Sequence, residues 1–249
     1  MSNRVCIFGD SLCFNVASDL EKYRVESALD KEPETIAWID GWSAAGGGDV
    51  FFDVGANMGI YSLYAAYRHP DLAIYSFEPV SNNYTALQQN VWLNQWQNVH
   101  SFNLAIADET KITELFLSDT RVGNSGAQIG EAVNEKGERY EALRVEKVLS
   151  ISLDRLVGEF GLPAPNFVKI DVDGHETDIL NGMMQVLSAP TLKSLLVEFN
   201  NDDEFVYWRS RLADVGLHVD TRYDSLPNHS RLRRVKKGTQ ARNWIFSRQ

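Results

Sequence analysis

The sequence predicts an α/β protein built on a doubly wound, mostly parallel β-sheet. From residue 49 onward, short apolar segments rich in β-branched and aromatic residues alternate with segments whose apolar residues recur at helical spacing. This alternation is typical of parallel strands joined by crossover helices. The chain has 249 residues, of which 44% are hydrophobic, and this is enough for one domain with a full core.

The individual elements follow from these patterns. Apolar runs predict strands at residues 49–54, 73–77, 99–104, 112–117, 143–153, 167–171, 194–199, 217–222 and 243–247. Helical spacing predicts helices at residues 60–67, 81–94, 154–160, 175–187 and 203–215, and Ser81 or Asn82 can cap the second of them. The segment 119–137, rich in Gly, Asn and Ser, is too long for a plain connection. We expect it to be either a functional loop or a flexible one.

The N-terminal segment differs from the rest of the chain. Residues 1–48 are predicted to form a largely helical cap on a domain at residues 49–249, with Gly46–Gly48 as the hinge. Six residues separate Cys6 from Cys13 and there is no second pair, which fits neither a disulfide framework nor a zinc site. We therefore expect two buried, reduced thiols.

Composition and the first residues exclude several classes of protein. The first apolar run has four residues and no small-residue cleavage site follows it, so we expect no secretory signal and a cytoplasmic location. No stretch approaches the roughly 18 uncharged apolar residues of a transmembrane span. The net charge of −10 disfavours general affinity for nucleic acid. The oligomeric state has no signature in the sequence.

A carboxylate lies at or just after the end of each of five predicted strands. These residues are Asp53, Glu78, Asp108, Asp171 and Glu198. In a doubly wound sheet, ligands bind beyond the carboxyl ends of the strands, where the strand order reverses. The sequence therefore predicts one ligand site that collects these side chains.

The turn after the first predicted strand indicates the kind of ligand. Its spacing, Gly55-x-Asn57-x-Gly59, departs from the G-x-G-x-x-G pattern of dinucleotide-binding turns, and Asp53 would repel a phosphate. A nucleoside with a cationic end, such as S-adenosylmethionine, fits better. Glu78 follows Asp53 at close to the roughly 20-residue offset at which an acid binds ribose hydroxyls in nucleotide folds.

Seven short motifs resemble those of one family. They are K-E-P-E-T-I-A-W-I-D (31–40), D-V-G-A-N-M-G-I-Y-S (53–62), F-E-P (77–79) with Asn83 following, A-I-A-D (105–108), S-L-D-R-L (152–156), K-I-D-V-D-G-H-E (169–176) and V-E-F-N (197–200). Together they resemble the FkbM family of S-adenosylmethionine-dependent methyltransferases. The resemblance implies the class I methyltransferase (Rossmann-like) fold, with a seven-stranded sheet whose last strand is antiparallel. It also implies O-methylation of a sugar or natural-product hydroxyl.

The resemblance also implies roles for individual residues in cofactor binding. Four would line the methionine end of the cofactor: Asp53, Gly55, Asn57 and Gly59. Glu78 would bind the ribose, and Asp108 would contact the adenine, with Asn103 or Ala107 as alternatives.

The fourth strand end carries the candidate catalytic residues. Strand alternation predicts that Lys169 and Asp171 share a face, with Asp171 beside the expected methyl position and Lys169 as its ion-pair partner. A base that removes the acceptor's proton would be His175 or Asp171, with Glu198 orienting the acceptor. An Mg²⁺ ion on Asp171 and Glu198 is an alternative, disfavoured because no third ligand is evident.

The C-terminal region leaves further alternatives open. Residues 222–249 hold eight Lys or Arg residues and one Asp, a balance of +7. The basic run at 231–237 could clamp a phosphate-bearing glycan acceptor, or could contact RNA in an RNA methyltransferase, although it lacks aromatic residues for base stacking. A non-catalytic module that binds an adenosine ligand is the alternative from a different functional class.

Overall fold

A computed structural model describes residues 3–42, 48–134, 137–226, 229 and 242–249. The strands are β1 (Asn3–Ile7), β2 (Leu12–Val16), β3 (Val50–Val54), β4 (Ala73–Phe77), β5 (Val99–Phe102), β6 (Ala105–Ile106), β7 (Lys111–Leu117), β8 (Gln128–Ile129), β9 (Arg144–Ile151), β10 (Phe167–Ile170), β11 (Ser194–Phe199), β12 (Leu217–Val219) and β13 (Arg242–Arg248). The helices are α1 (Asp19–Lys31), α2 (Pro33–Asp40), α3 (Ile60–Arg68), α4 (Ser81–Leu93), α5 (Leu153–Gly158), α6 (Glu176–Asn181), α7 (Met184–Ser188) and α8 (Asp202–Asp214).

The central sheet has seven strands in the spatial order β5-β4-β3-β10-β11-β13-β12. Strand β13 is antiparallel to both of its neighbours, whereas β3, β4, β5, β10 and β11 are parallel. This arrangement is the class I methyltransferase topology, so the expected fold and its antiparallel last strand are confirmed. The strand order reverses between β3 and β10, where Asp53 pairs in register with Lys169.

One predicted helix, at residues 175–187, is divided into α6 and α7. The division occurs at Gly182, where an added Cβ would lie 2.3 Å from the carbonyl oxygen of Ala107. The chain therefore bends where the backbone after β6 approaches it closely, and only a residue without a side chain fits there.

The N-terminal segment differs from the expected helical cap. It begins with an antiparallel hairpin of β1 and β2, and only then come α1 and α2. The hairpin register sets Cys6 opposite Cys13, and their sulfur atoms form a disulfide. The expectation of two reduced thiols is therefore wrong, because strand pairing brings together two residues that sequence spacing had separated. Gly46 and Gly47 of the expected hinge lie outside the described residues.

The segment before residue 49 shares a core with one face of the central sheet. Leu12, Phe14 and Trp38 are buried in the same apolar cluster as Phe51 and Leu196. Large buried aromatic residues dominate this contact, and their burial stabilises it.

Strands β6, β7, β8 and β9 form a second, mostly antiparallel sheet. Leu115, Leu117 and Val148 on its inner face pack against Val80 at the start of α4. Because β8 lies within residues 119–137, this segment is folded against the carboxyl edge of the central sheet, and its described residues reach the site below.

Most of the basic C-terminal run, including residues 231–237, lies outside the described residues. Three other basic residues of this region are described, and each is engaged within the chain. Arg222 pairs with Asp220, and Arg242 lies 3.5 Å from Asp202. Arg248 donates hydrogen bonds to four main-chain carbonyls of the chain. Among the described residues, no helix combines the length and apolar character needed to cross a bilayer.

Candidate functional site

The turn after β3 brings bare backbone to the edge of the sheet. Gly55 has a φ of +80°, and a Cβ on it would lie 2.2 Å from the carbonyl oxygen of Asp171. The amides of Gly55 and Ala56 both donate to the carbonyl of Phe77 at 3.0 Å. Any side chain at residue 55 would push the ends of β3 and β10 apart, which explains the glycine.

The next turn residue holds the carboxylate that follows β4. Asn57 has a φ of +52°, a left-handed conformation that Asn tolerates better than most residues. Its amide donates to Glu78 Oε2 at 2.8 Å, and the amide of Val80 donates to Oε1 at 2.8 Å. Burial raises the pKa of Glu78 to about 7, although these hydrogen bonds oppose the shift.

A buried charge cluster lies under the same turn. Asp53 is fully buried and accepts a hydrogen bond of 2.5 Å from the Ser62 hydroxyl. Its Oδ1 lies 4.0 Å from Lys169 Nζ, which lies 2.8 Å from Asp171 Oδ2. Burial raises the pKa of Asp53, with Lys169 opposing that shift. Lys169 is thus an ion-pair partner, as alternation predicts.

Lys169 is charged although it is 1% exposed. Burial favours its neutral form, but the carboxylates of Asp171, Asp53 and Glu32 outweigh burial and raise the pKa of the ammonium. Its Nζ lies 4.9 Å from the ring centroid of Tyr61, whose hydroxyl donates to Glu32 Oε2 at 2.9 Å. The resulting chain of polar groups connects β10 to the residue that precedes α2.

The segment between β7 and β8 forms a roof over the turn. Asn57 and Asn83 donate side-chain hydrogen bonds to the carbonyl of Asn124 at 3.0 and 3.2 Å. The amide of Gly123 donates to Asn83 Oδ1 at 2.9 Å, and the amide of Gly126 donates to Asp173 Oδ2 at 2.5 Å. Residues from α4 and from the end of β10 therefore hold the roof on two sides.

A cavity lies between this roof, the carboxyl edge of the sheet and α1. Its wall includes Gly55, Asn57, Glu78, Asp171 and Glu198, which are the predicted site residues that the fold brings together. The wall also includes residues from α1 and from the roof: Arg24, Ala28, Lys31, Asn124, Ser125 and Ala127.

Four predicted site residues do not line this cavity. Asp53 lies beneath the turn, and Gly59 packs toward Leu87, where its absent Cβ would be 2.4 Å from Leu87 Cδ1. Asp108 is exposed, and its Cα lies beside Gly182. Asp108 therefore differs from its expected position because the chain after β6 turns toward α6 instead of toward the cavity.

His175 does not line this cavity either; it lines a smaller adjoining one, whose wall shares Gly55 and Val172 with the first. The amide of Ile129 in β8 donates to its Nε2 at 3.2 Å, and its Nδ1 lies 3.4 Å from Asp178 Oδ2. Both ring nitrogens are thus engaged by the second sheet and by α6. A base at this position would have to break one of these contacts before it could reach an acceptor.

Residues 53–224 match the family model described as Methyltransferase FkbM domain, which is more than half of the chain. The chain belongs to the FkbM methyltransferase family. The matched range contains the turn at Gly55, the ribose candidate Glu78 and the charge cluster at Lys169. The protein is therefore an S-adenosylmethionine-dependent methyltransferase of FkbM type.

Curated relatives of this FkbM methyltransferase are distant. The 31-O-demethyl-FK506 methyltransferase FkbM of Streptomyces tacrolimicus is 26% identical over 63% of this chain and 67% of its own. The hexuronic acid methyltransferase AglP of Haloferax volcanii is 24% identical over 65% of this chain and 70% of its own. The antimetabolite synthetase AmbE of Pseudomonas aeruginosa is 27% identical over 71% of this chain, which spans a tenth of the relative's length.

Solved structures similar to this FkbM methyltransferase include the magnesium protoporphyrin IX methyltransferase ChlM of Synechocystis PCC 6803 with bound SAM. That enzyme is 12% identical, with a TM-score of 0.48 over 94% of this chain and 85% of its own. The TYW2 protein of M. jannaschii, solved in complex with AdoMet, is 11% identical with a TM-score of 0.47 over 100% of this chain and 87% of its own.

The cavity fits the cofactor of an FkbM methyltransferase. The bare backbone of Gly55 lets a ligand approach closely, and the buried carboxylate of Glu78 can accept hydrogen bonds from a pair of ribose hydroxyls. Asp171, Asp173 and Glu198 add negative charge that suits a cationic ligand.

Several cavity residues of this FkbM methyltransferase have no role in the sequence analysis. Tyr61, Asn83 and Lys31 lie within or near the quoted motifs, so those motifs could have marked them. Arg24 has no such signal, because helical periodicity alone cannot tell which face of α1 meets the cavity.

Proposed function

We propose that this protein is an O-methyltransferase that modifies a hydroxyl of a glycan, sugar nucleotide or natural product. The observation that carries the proposal is the composition of one cavity. Glu78, suited to a ribose, and the pair Asp171 and Glu198, suited to a hydroxyl, line the same wall. The names of two relatives, one acting on demethyl-FK506 and one on hexuronic acid, favour this acceptor class.

Cofactor binding would use the turn and the end of β4. Glu78 would accept the ribose hydroxyls, because the amides of Asn57 and Val80 hold its two oxygens in place. Gly55 and Asn57 would lie against the methionine end. S-adenosylmethionine, when bound, supplies a methyl group already activated on a sulfonium.

The protein's own contribution to the reaction would be alignment, exclusion of water and proton removal. The roof made by Asn124 and Ser125 covers the cavity and would limit access of water. Asp171 or Glu198 would accept the acceptor's proton, with the other orienting the hydroxyl. We favour these two over His175, because His175 does not line the cavity and its ring nitrogens already contact the amide of Ile129 and the carboxylate of Asp178.

Calorimetric titration with S-adenosylmethionine and S-adenosylhomocysteine tests the cofactor assignment. Transfer of a labelled methyl group into a panel of sugars, sugar nucleotides and polyketides then tests the acceptor class. Cofactor binding without transfer into any hydroxyl compound would favour the adenosine-binding module, and transfer into RNA would overturn the proposal. Transfer in the presence of EDTA tests the Mg²⁺ alternative.

Three variants test the catalytic assignment. Asp171→Asn and Glu198→Gln should each lower kcat by about 10²-fold or more and weaken cofactor binding by less than that. His175→Gln should keep kcat near that of the parent, because Gln can also accept from the amide of Ile129. If only His175→Gln shows a large loss of kcat, the catalytic base is His175 and not Asp171 or Glu198.

A further inference from the structure

One cation in the cavity wall, Arg24, has no ion-pair partner among the residues that the structure describes. Arg24 lines the cavity from α1, and it makes no hydrogen bond or ion pair with any residue that the structure describes. Its Nε is buried, and its side chain passes under the roof at Gly123, where an added Cβ would be 3.7 Å from Nε. The stem is therefore packed while the guanidinium is left to the cavity.

Arg24 belongs to a stripe on α1 that faces the cavity. Ala28 and Lys31 follow it at intervals of four and three residues, and both line the same wall. Ala28 is buried and small, so it leaves space between the two cations. Lys31 Nζ lies 3.0 Å from Glu32 Oε1, so its charge is partly balanced.

The charge of Arg24 contrasts with that of Lys169, the buried cation of the cavity wall. Lys169 has Asp171 at 2.8 Å and Asp53 at 4.0 Å. A guanidinium whose Nε has lost water and gained no partner is costly to bury. Its planar donor fork matches a carboxylate or a phosphate, and this geometry makes arginine suited to binding such groups.

The position of Arg24 in the chain indicates which ligand carries the anion. The match to the family spans residues 53–224, which include Gly55 and Glu78 but not Arg24, and Arg24 also lies before the family-like motif at residues 31–40. A cofactor common to a family needs its binding groups within the shared domain. A cation outside that domain fits an acceptor, because acceptors differ among relatives.

We propose that Arg24, with Lys31 beside it, binds a carboxylate or phosphate of the acceptor, so that the acceptor is an anionic glycan or glycoside. This inference rests on the proposed function. The anion-binding subsite lies on α1, and it positions the acceptor hydroxyl through a second, charged group.

Binding of matched glycosides to the enzyme saturated with S-adenosylhomocysteine tests the subsite. The probes are methyl β-D-glucuronide and glucose 1-phosphate, with methyl β-D-glucoside as the neutral match. The parent should bind at least one anionic probe more tightly than the glucoside. Arg24→Gln should weaken that binding about tenfold or more, and Arg24→Lys by less. The neutral glucoside should be unaffected.

Lys22→Gln is the matched control, because Lys22 lies on the same helix, carries the same charge and pairs with Glu26 at 3.7 Å in an exposed position. It should leave all three affinities unchanged. A parent enzyme with no preference for either anionic probe, or equal effects of Lys22→Gln and Arg24→Gln, would overturn the subsite.

The cofactor's own carboxylate is the competing source of an anion. If Arg24→Gln weakens S-adenosylhomocysteine but not 5′-methylthioadenosine, which lacks the carboxylate, Arg24 serves the cofactor and the proposal is wrong. These readouts measure binding and need no turnover, so failure of the subsite is distinguishable from failure of the proposed function, which appears as absence of methyl transfer to any hydroxyl.

Discussion

The ammonium of Lys169 lies 2.8 Å from the carboxylate of Asp171, two residues further along the chain. Strand alternation sets both side chains on one face, and Asp53 from the neighbouring strand completes the cluster at 4.0 Å. The cavity therefore lies directly over a compensated set of buried charges. Mutations in this charge cluster should therefore act mainly on the stability of the protein, whereas mutations in the cavity wall should act mainly on ligand binding.

Removing the central cation should destabilise the fold. Lys169→Met leaves Asp53, which is fully buried, without its counter-charge. We expect the free energy of unfolding to fall by about 3–5 kcal/mol in chemical denaturation. Because burial already raises the pKa of Asp53, the loss should be smaller at low pH, where that carboxyl is protonated.

Lys193→Met is the control for this prediction. Lys193 also forms a 2.8 Å ion pair, with Asp49, but its side chain is 43% exposed. Its loss should cost less than about 1 kcal/mol. Equal costs for the two variants would show that the buried cluster does not depend on Lys169.

Cofactor binding should depend on pH through Glu78. The pKa of this carboxyl is raised from 4.5 to about 7, and ribose hydroxyls need its ionised form as an acceptor. Affinity for S-adenosylhomocysteine should therefore rise from about pH 5 to about pH 8, with proton release near neutral pH that calorimetry in buffers of different ionisation enthalpy can detect. Glu78→Gln should bind weakly and without this proton release.

Glu78 should affect stability and cofactor affinity in opposite directions: as pH rises, affinity increases but the stability of the ligand-free protein decreases. Between pH 4.5 and about 7, the folded protein keeps a proton on Glu78 that the unfolded chain has released. The ligand-free protein should therefore lose stability as pH rises through this window, whereas Glu78→Gln should lose less. A variant whose stability follows the parent's pH profile would contradict the assignment.

A methyl group at the glycine turn should disrupt the site. Gly55→Ala places a Cβ 2.2 Å from the carbonyl oxygen of Asp171 at a φ of +80°. We expect a stability loss above about 2 kcal/mol and weaker cofactor binding, since backbone must shift. Gly161→Ala, at a φ of +73° with nothing within 4 Å, isolates the cost of the left-handed conformation, about 1–2 kcal/mol. Similar losses of stability in the two variants would contradict the close approach of Gly55 to the carbonyl of Asp171.

Loosening the roof should speed its local opening. Asn83→Ala removes the bonds to the Gly123 amide and the Asn124 carbonyl. Amides of residues 123–127 should exchange with deuterium about tenfold faster, because each bond contributes roughly 1 kcal/mol. Asn98→Ala, which removes a bond to the carbonyl of Leu72, should leave this segment unchanged. If the exchange rates of residues 123–127 are unchanged in Asn83→Ala, the hydrogen bonds from Asn83 do not hold the roof in place.

Some features of the structure depend on one local constraint, and the sequence predicts where they lie. The strand at 167–171 was predicted from its apolar run and is β10 at Phe167–Ile170. The glycine at residue 55 and the acid at residue 78 were predicted from their places after strands, where the parallel topology requires a turn and gathers polar groups. Both line the cavity.

Other features depend on a distant segment, which no local pattern in the sequence reveals. His175 follows β10 as expected, but the amide of Ile129 engages its ring from the second sheet. The two cysteines were judged by their spacing, whereas the hairpin register pairs them. Neither Ile129 nor the hairpin partner is visible in the local pattern of the residue it controls.

By itself, the sequence determined the alternation of strands and helices, the family and the position of Gly55 and Glu78. These depend on periodicity, backbone sterics and motifs, which are local properties of the chain. Only the tertiary structure decided that the segment after β7 closes over the turn and that Arg24 reaches the cavity. Those outcomes depend on packing between segments about 100 residues apart, where the choice of a helix face or a loop position follows from which surfaces meet.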